Sequence, residues 1–224
     1  MMSVNRFRQS ALTVTIVVSI GLAGCGASPS TSEPAAPATD VTAEPTQVDE
    51  SIPNRKVLFH DEVTSNREDD GTLANLSFVD TNGSDVSLKQ YQGKQNVLLV
   101  FTRGFNGSLC PFCTTQTSRL IANHGEFAKR DTQILLVYPG SKEQLPQFIR
   151  ASNDSGNSDA FPFPVLLDED LVAVKQLGIA AHLAFPSTFL IDIRGNVRLS
   201  YVGSSPSDRP SIKALIDQID SLGP

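Results

Sequence analysis

The chain from residue 69 onward predicts an α/β domain with a mixed central sheet flanked by helices, on three observations. Residues 97–101 and 134–138 are unbroken apolar runs, as expected of strands buried on both faces. Stretches with helical spacing separate them from each other and from a third apolar run at 165–167. A strand–turn–strand pattern and an amphipathic stretch close the chain, so a parallel βαβ core is followed by an antiparallel hairpin and a last helix.

The elements follow in order. Residues 76–79 and 86–88 are short strand patterns on either side of Thr81-Asn82-Gly83-Ser84, a turn signal, and form an N-terminal β-hairpin extension. After the strand at 97–101, residues 113–128 place Leu120, Ile121, His124 and Phe127 at helical spacing. Ser141-Lys142-Glu143-Gln144 has capping-box form and leads into a helix with Leu145, Phe148 and Ile149 on one face and Pro146 in its first turn. Asp168 can cap a helix that Gly178 ends. Residues 189–191 and 197–201 make a hairpin around Arg194-Gly195-Asn196. Pro210 is expected to open the last helix, with Ile212, Leu215, Ile216 and Ile219 facing the core.

The chain has 224 residues, 40% of them hydrophobic, a formal charge of −6 and three cysteines. An acidic chain lacks the basic face that nucleic acid requires, so no nucleic-acid partner is expected. Three cysteines are too few for a disulfide-stapled scaffold or a four-thiolate zinc site.

The N-terminus accounts for one cysteine. Residues 1–24 hold Arg6 and Arg8, no acid, and an apolar centre over 11–22, the pattern of a secretion signal. This run is shorter and more polar than the about 20 apolar residues of a spanning helix. It ends in Leu22-Ala23-Gly24-Cys25, similar to the bacterial lipoprotein lipobox; that resemblance implies that Cys25 is lipidated and becomes the first mature residue. Acyl chains contribute about 0.8 kcal/mol per buried methylene, enough for several chains to anchor the protein at a membrane surface. Residues 26–50 hold four Pro, five Ala, three Ser, four Thr and five acids without a base. Such a segment cannot offset backbone ordering by apolar burial and reads as a solvated tether. The expected organisation is therefore a signal over 1–24, lipidated Cys25 with a tether to 68, and a domain over 69–224. The protein is expected to be exported and lipid-anchored to a bacterial membrane through Cys25 alone.

The other two cysteines stand in Cys110-Pro111-Phe112-Cys113, after the strand at 97–101 and at the start of the next helix. There the Cys110 sulfur faces unpaired N–H groups and the positive end of the helix dipole, which favour thiolate over thiol. Cys113 lies within the first turn, in reach of a disulfide formed on Cys110. An inert disulfide is the structural alternative. A metal site would need two further ligands, and His60, His124 and His182 are widely scattered, so no metal is expected. Arg103 is near enough in sequence to support the Cys110 thiolate. Such a His as His124 packs more often than it shuttles protons.

Three segments carry a family resemblance: Val97-Leu98-Leu99-Val100-Phe101-Thr102-Arg103-Gly104, Cys110-Pro111-Phe112-Cys113, and Phe185-Pro186-Ser187-Thr188-Phe189-Leu190-Ile191-Asp192. Over roughly 72–222 the chain resembles the redoxin group of the thioredoxin fold, in particular AhpC/TSA (peroxiredoxin-like) proteins and TlpA-like exported thiol–disulfide oxidoreductases. The resemblance implies a thioredoxin-like fold, Cys110 as nucleophilic or peroxidatic thiol, Cys113 as resolving thiol, and Pro186 as a cis-proline packed against the sulfurs. It implies no cofactor beyond the Cys110–Cys113 disulfide. The partners implied are protein or small-molecule thiols and disulfides, peroxides, and an electron-donating thiol protein.

Some positions depart from the family patterns. Arg103 and Gly107 stand where peroxiredoxins place Pro and Thr or Ser before the reactive cysteine, and Pro186 stands where they place Arg. Val100 replaces the buried acid of thioredoxins, and Leu109 replaces the Trp before their first cysteine. Thiol–disulfide exchange is thus the leading expectation, thiol-dependent peroxide reduction the second, and a lipoprotein with a structural disulfide the third.

Overall fold

Hydrophobic periodicity explains the architecture of the computed structural model, which describes residues 58–104, 108–153, 160–182 and 184–223. The signal, Cys25 and the tether up to residue 57 lie outside the described residues. The elements are β1 (Leu58–His60), β2 (Ser77–Asp80), β3 (Asp85–Ser87), β4 (Asn96–Phe101), α1 (Pro111–Ala122), α2 (His124–Ala128) and β5 (Thr132–Tyr138). They continue with α3 (Leu145–Ser152), β6 (Val165–Leu167), α4 (Val172–Gln176), β7 (Ser187–Ile191), β8 (Val197–Val202), β9 (Asp208–Pro210) and α5 (Ile212–Asp220).

Seven strands form one mixed sheet in the order β3-β2-β6-β5-β4-β7-β8. β4, β5 and β6 run parallel, while β7 and β8 add antiparallel on one side and the β2–β3 hairpin on the other. The hairpin extension is thus an edge of the central sheet. β4 lies between β5 and β7, and its residues from Val97 to Phe101 are buried on both faces. Alternation splits its side chains: Leu98 and Val100 join Leu120, Phe127, Phe148 and Leu215 in one core, whereas Val97, Leu99 and Phe101 join Leu73, Val174 and Phe189 in the other. Each such burial is worth about 1.5–3 kcal/mol, so the sheet is held by two cores. α1, α2, α3 and α5 cover the first and α4 the second. Among the described residues no helix is long and apolar enough to cross a membrane.

Four details differ from the sequence reading. The helix expected over 113–128 is two, because Asn123 leaves helical geometry at φ −109°, ψ 10°, between α1 and α2. Pro210 does not open the last helix: it ends β9, and Ser211 caps α5 by accepting a hydrogen bond from the Ala214 amide at 3.1 Å. Asp168 caps as expected, but from four residues ahead of α4, its two oxygens accepting from Ala173 N and Val174 N at 3.1 and 3.0 Å.

The fourth difference concerns residues 58–68, which the expected organisation places with the tether although their sequence is ambiguous: Leu58 and Phe59 could dock on the domain, whereas Asn66 to Asp70 read as loop. β1 pairs in parallel with β9, Val63 is buried, and Asn66 bonds both the amide and the carbonyl of Val202 at 2.9 Å. Ser65 Oγ also accepts from the Ser200 amide at 3.0 Å. Polar side chains of Ser65 and Asn66 carry part of this docking through partners far along the chain, which is why Asn66 onward reads as loop.

Candidate active site

The two cysteines sit where β4 hands the chain to α1. Cys110 is the N-cap of α1, with extended backbone (φ −81°, ψ 108°), and Pro111 supplies the first helical residue, whose missing N–H has no partner to lose. The Cys113 amide donates to Cys110 Sγ at 3.3 Å, and the Cys110 carbonyl takes the Cys113 and Thr114 amides, each at 3.1 Å. A sulfur in the N-cap place thus receives the bond that a Ser or Asp oxygen would. Cys110 is partly exposed and Cys113 is buried; both are free thiols.

This arrangement separates the two thiols. The Cys110 thiol is lowered to about 6, first by the hydrogen bond that the Cys113 side chain donates to it, then by the Cys113 amide and by the charges of Arg209 and Arg103, all against the cost of burial. Burial pushes the Cys113 thiol well up, and the hydrogen bond and negative charge of Cys110 push the same way. At pH 7 a thiol with a value near 6 is about nine-tenths ionised, against a few per cent for an ordinary cysteine. Resting chemistry therefore belongs to Cys110. In the reduced full-length protein carrying Cys25→Ser, alkylation of Cys110 by iodoacetamide is expected to be half-maximal near pH 6, with Cys113 unreactive until much higher pH. A midpoint near 8.5, the value of a free thiol, would mean that the helix start does not act on the sulfur.

Of the other residues singled out by sequence, Arg103 lies beside the pair. Its amide donates to Cys113 Sγ at 3.4 Å, and its charge contributes last among the groups favouring the Cys110 thiolate. Its carbonyl accepts from the Ala184 amide at 3.4 Å, which brings the approach to Pro186 against the β4 end. Pro186 is buried, and its carbonyl accepts from the Gly203 amide at 2.8 Å. The cis bond implied by the resemblance is not found: among the described residues every peptide bond is trans. Trans is the intrinsically favoured state of an X–Pro bond by about 0.5–1 kcal/mol, and the proline lies one residue before β7. His124 packs its ring 6.1 Å from that of Phe163. Phe163 in turn packs at a tilt against Phe161, and Phe161 edge-on against Phe148, so the Phe161-Pro162-Phe163-Pro164 lead is part of an aromatic cluster.

Sequence reasoning missed two groups. Arg209 on β9 is only 1% exposed, and its Nη2 donates to Cys113 Sγ at 3.3 Å. Nη1 donates to Gln116 Oε1 on α1, while Nε and Nη2 reach the Pro206 carbonyl at 3.2 and 3.0 Å. Asp208-Arg209-Pro210 reads locally as a helix approach, and no periodicity marks the arginine as internal. The second is Tyr138 at the end of β5, a buried phenol with no hydrogen-bond partner among the described residues. Burial, then the negative charge of Cys113, raises it to about 12.

The comparisons with known proteins agree with this frame. Residues 70–200 match the model of the AhpC/TSA family. The chloroplastic 2-Cys peroxiredoxins of Spinacia oleracea and Arabidopsis thaliana are 26% identical over 122 residues, 53% of this chain and 45% of theirs. The chain thus spans less than half the length of these curated relatives. Among solved structures, the mitochondrial 2-Cys peroxiredoxin of Plasmodium falciparum superposes with a TM-score of 0.55 at 19% identity, over 67% of this chain and 92% of that one. The bacterioferritin comigratory protein of Xanthomonas campestris gives 0.54 at 19% identity, over 70% and 98%. These structural likenesses show the fold, a thioredoxin-like mixed sheet flanked by helices. With the family model covering more than half of its length, this chain belongs to the AhpC/TSA family.

Proposed function

We propose that this protein is an exported, lipid-anchored thiol–disulfide oxidoreductase. The observation that carries the reading is the graded pair: a partly exposed Cys110 whose thiol is lowered to about 6, one helical turn from a buried Cys113. The Cys110 thiolate attacks one sulfur of a substrate disulfide; a Cys110–substrate disulfide forms and the other substrate sulfur leaves as thiolate. Cys113 then attacks the Cys110 sulfur, the Cys110–Cys113 disulfide forms, and the second substrate thiolate leaves with the Cys113 proton. Two electrons have passed to the substrate, and an electron-donating thiol protein restores the pair. Substrates are protein or small-molecule disulfides, and Cys25 supplies the membrane attachment.

A second reading is favoured by the family match: the same two cysteines reduce a peroxide. The Cys110 thiolate would take one peroxide oxygen to give a sulfenic acid and an alcohol or water, and Cys113 would condense with it, releasing water. The sequence departures at Gly107 and Pro186 rank this second, and the buried guanidinium present here bonds the resolving sulfur, Cys113.

The test is a side-by-side rate measurement with the reduced, full-length protein, using a model peptide disulfide and hydrogen peroxide. Disulfide reduction faster than peroxide consumption, with both lost in Cys110→Ser, is expected; peroxide turnover faster than exchange would reverse the ranking. Sedimentation of the protein with membranes, lost in Cys25→Ser, is the matching check on the anchor.

A further inference from the structure

The least explained charge in the molecule is Arg209. A guanidinium cannot shed its proton, so a buried one needs an anion or a full set of acceptors. Arg209 bonds the side-chain carbonyl of Gln116, the backbone carbonyl of Pro206 and the sulfur of Cys113. Among the described residues no carboxylate forms an ion pair with it; its neighbour Asp208 instead takes the hydroxyl of Tyr201, the amide and hydroxyl of Ser204, and His60. The one contact able to become an anion is Cys113 Sγ. The arginine is also held from several sides: by β9, which pairs with β1, by Gln116 on α1 and by the Pro206 carbonyl.

The timing of this contact matters. In the resting dithiol, Cys110 carries the charge and Cys113 is the donor to it, so Cys113 stays a thiol. Once Cys110 is bound to substrate sulfur, its charge and its acceptance of that hydrogen bond are both gone. The Arg209 guanidinium at 3.3 Å and the Arg103 amide at 3.4 Å then remain as the hydrogen-bond donors to the Cys113 sulfur, and the Tyr138 phenol of β5, raised to about 12 by burial and by Cys113, is the other titratable group beside it. We infer that Arg209 is a catalytic residue of the resolving step: it stabilises the Cys113 thiolate that attacks the Cys110–substrate disulfide. The inference rests on the dithiol reading above. Arg209 stays protonated throughout; the Cys113 proton ends on the departing substrate sulfur, and the electron pair of Cys113 forms the new sulfur–sulfur bond. The guanidinium is too buried to touch the incoming substrate, so beyond its share in lowering the Cys110 thiol its effect falls on the second half of the reaction.

The test uses the reduced full-length chain with Cys25→Ser, leaving two thiols, and dithiobis(nitrobenzoate), which releases a coloured thiolate at each step. One equivalent appears when Cys110 attacks and a second when Cys113 resolves. Arg209→Gln is expected to slow the second phase by about ten-fold or more at neutral pH and to move its pH midpoint up by about one unit, since each unit is a tenfold change in thiolate. The first phase is expected to change by less than about three-fold at a pH where Cys110 is fully ionised. Arg209→Lys, which keeps the charge, is expected to recover most of the second phase. Equal slowing of both phases, or an unmoved second phase, overturns the inference. Should Arg209→Gln not fold, Gln116→Met decides: it frees the guanidinium without removing it, and an unchanged second phase again overturns the inference. Release of a single equivalent by the parent chain would sink the dithiol reading instead. In that case the ultraviolet thiolate titration of Cys113 in Cys25→Ser/Cys110→Ser, with and without Arg209→Gln, still judges Arg209: its midpoint rises or the inference fails.

Discussion

Replacing Cys113 by Ser is expected to turn catalysis into a single event. The Cys110 thiolate would still attack a disulfide, because the Cys113 amide, the charges of Arg209 and Arg103 and the helix start all remain. Its acidity would shift only as far as the loss of one sulfur hydrogen-bond donor and the gain of a hydroxyl allow. Nothing would then attack the mixed disulfide from within, so the substrate stays attached. Mass spectrometry of the full-length Cys25→Ser/Cys113→Ser chain after one exposure to a peptide disulfide should show one peptide per chain, released by added dithiol. Cys110→Ser should show none, and steady-state turnover should fall by about a thousand-fold or more in either variant, as for other enzymes that lose a covalent nucleophile or its partner. Full turnover by Cys113→Ser would assign resolution to a group outside the pair.

Gly104→Ala is expected to be the most damaging small substitution near the site. Gly104 has φ +78°, and a Cβ built on it would lie 1.7 Å from the Pro139 carbonyl oxygen. The left-handed conformation costs a residue with a side chain about 1–2 kcal/mol, and forcing apart a packed backbone about 1–3 kcal/mol more. Because Gly104 follows β4 and Pro139 follows β5, the only relief is to part the ends of the two central parallel strands that lead to Cys110. A loss of roughly 2–5 kcal/mol in urea unfolding is expected. The Cys110 alkylation midpoint should rise with it, since the displaced segment also carries the Arg103 amide that bonds Cys113. An unchanged urea midpoint would show that the strand ends are looser than their contact distance implies. Gly203 has a comparable constraint without the strained φ: its Cβ would meet the Asp208 carbonyl at 2.4 Å and Pro186 Cγ at 2.9 Å.

The sheet and the reactive pair were legible because their signals are local. A run such as Val97-Leu98-Leu99-Val100-Phe101 needs burial on both faces wherever it is placed, and the turn signals and the caps Asp168 and Ser141 act within a few residues. Cys110 and Cys113 are held in one helical turn by the helix itself, so three residues of spacing already determine that they meet, and the N-cap position determines which sulfur is acidic. The family pattern added the order of the motifs, and with it a cis-proline that the structure does not contain.

Only the tertiary structure decided what surrounds the pair. Arg209 reaches Cys113 across 96 residues of sequence, on a strand of three residues whose partner is β1, from a stretch whose sequence is ambiguous between tether and domain. No periodicity marks such a residue, because a charge is buried by what folds over it from elsewhere, and that pairing is a property of the closed chain. For the same reason Asn66 reads as loop until its amide group meets the β8 backbone. Local chemistry thus determined where the sulfur chemistry starts, and the non-local closure of β1 on β9 decided which charge waits for its second step.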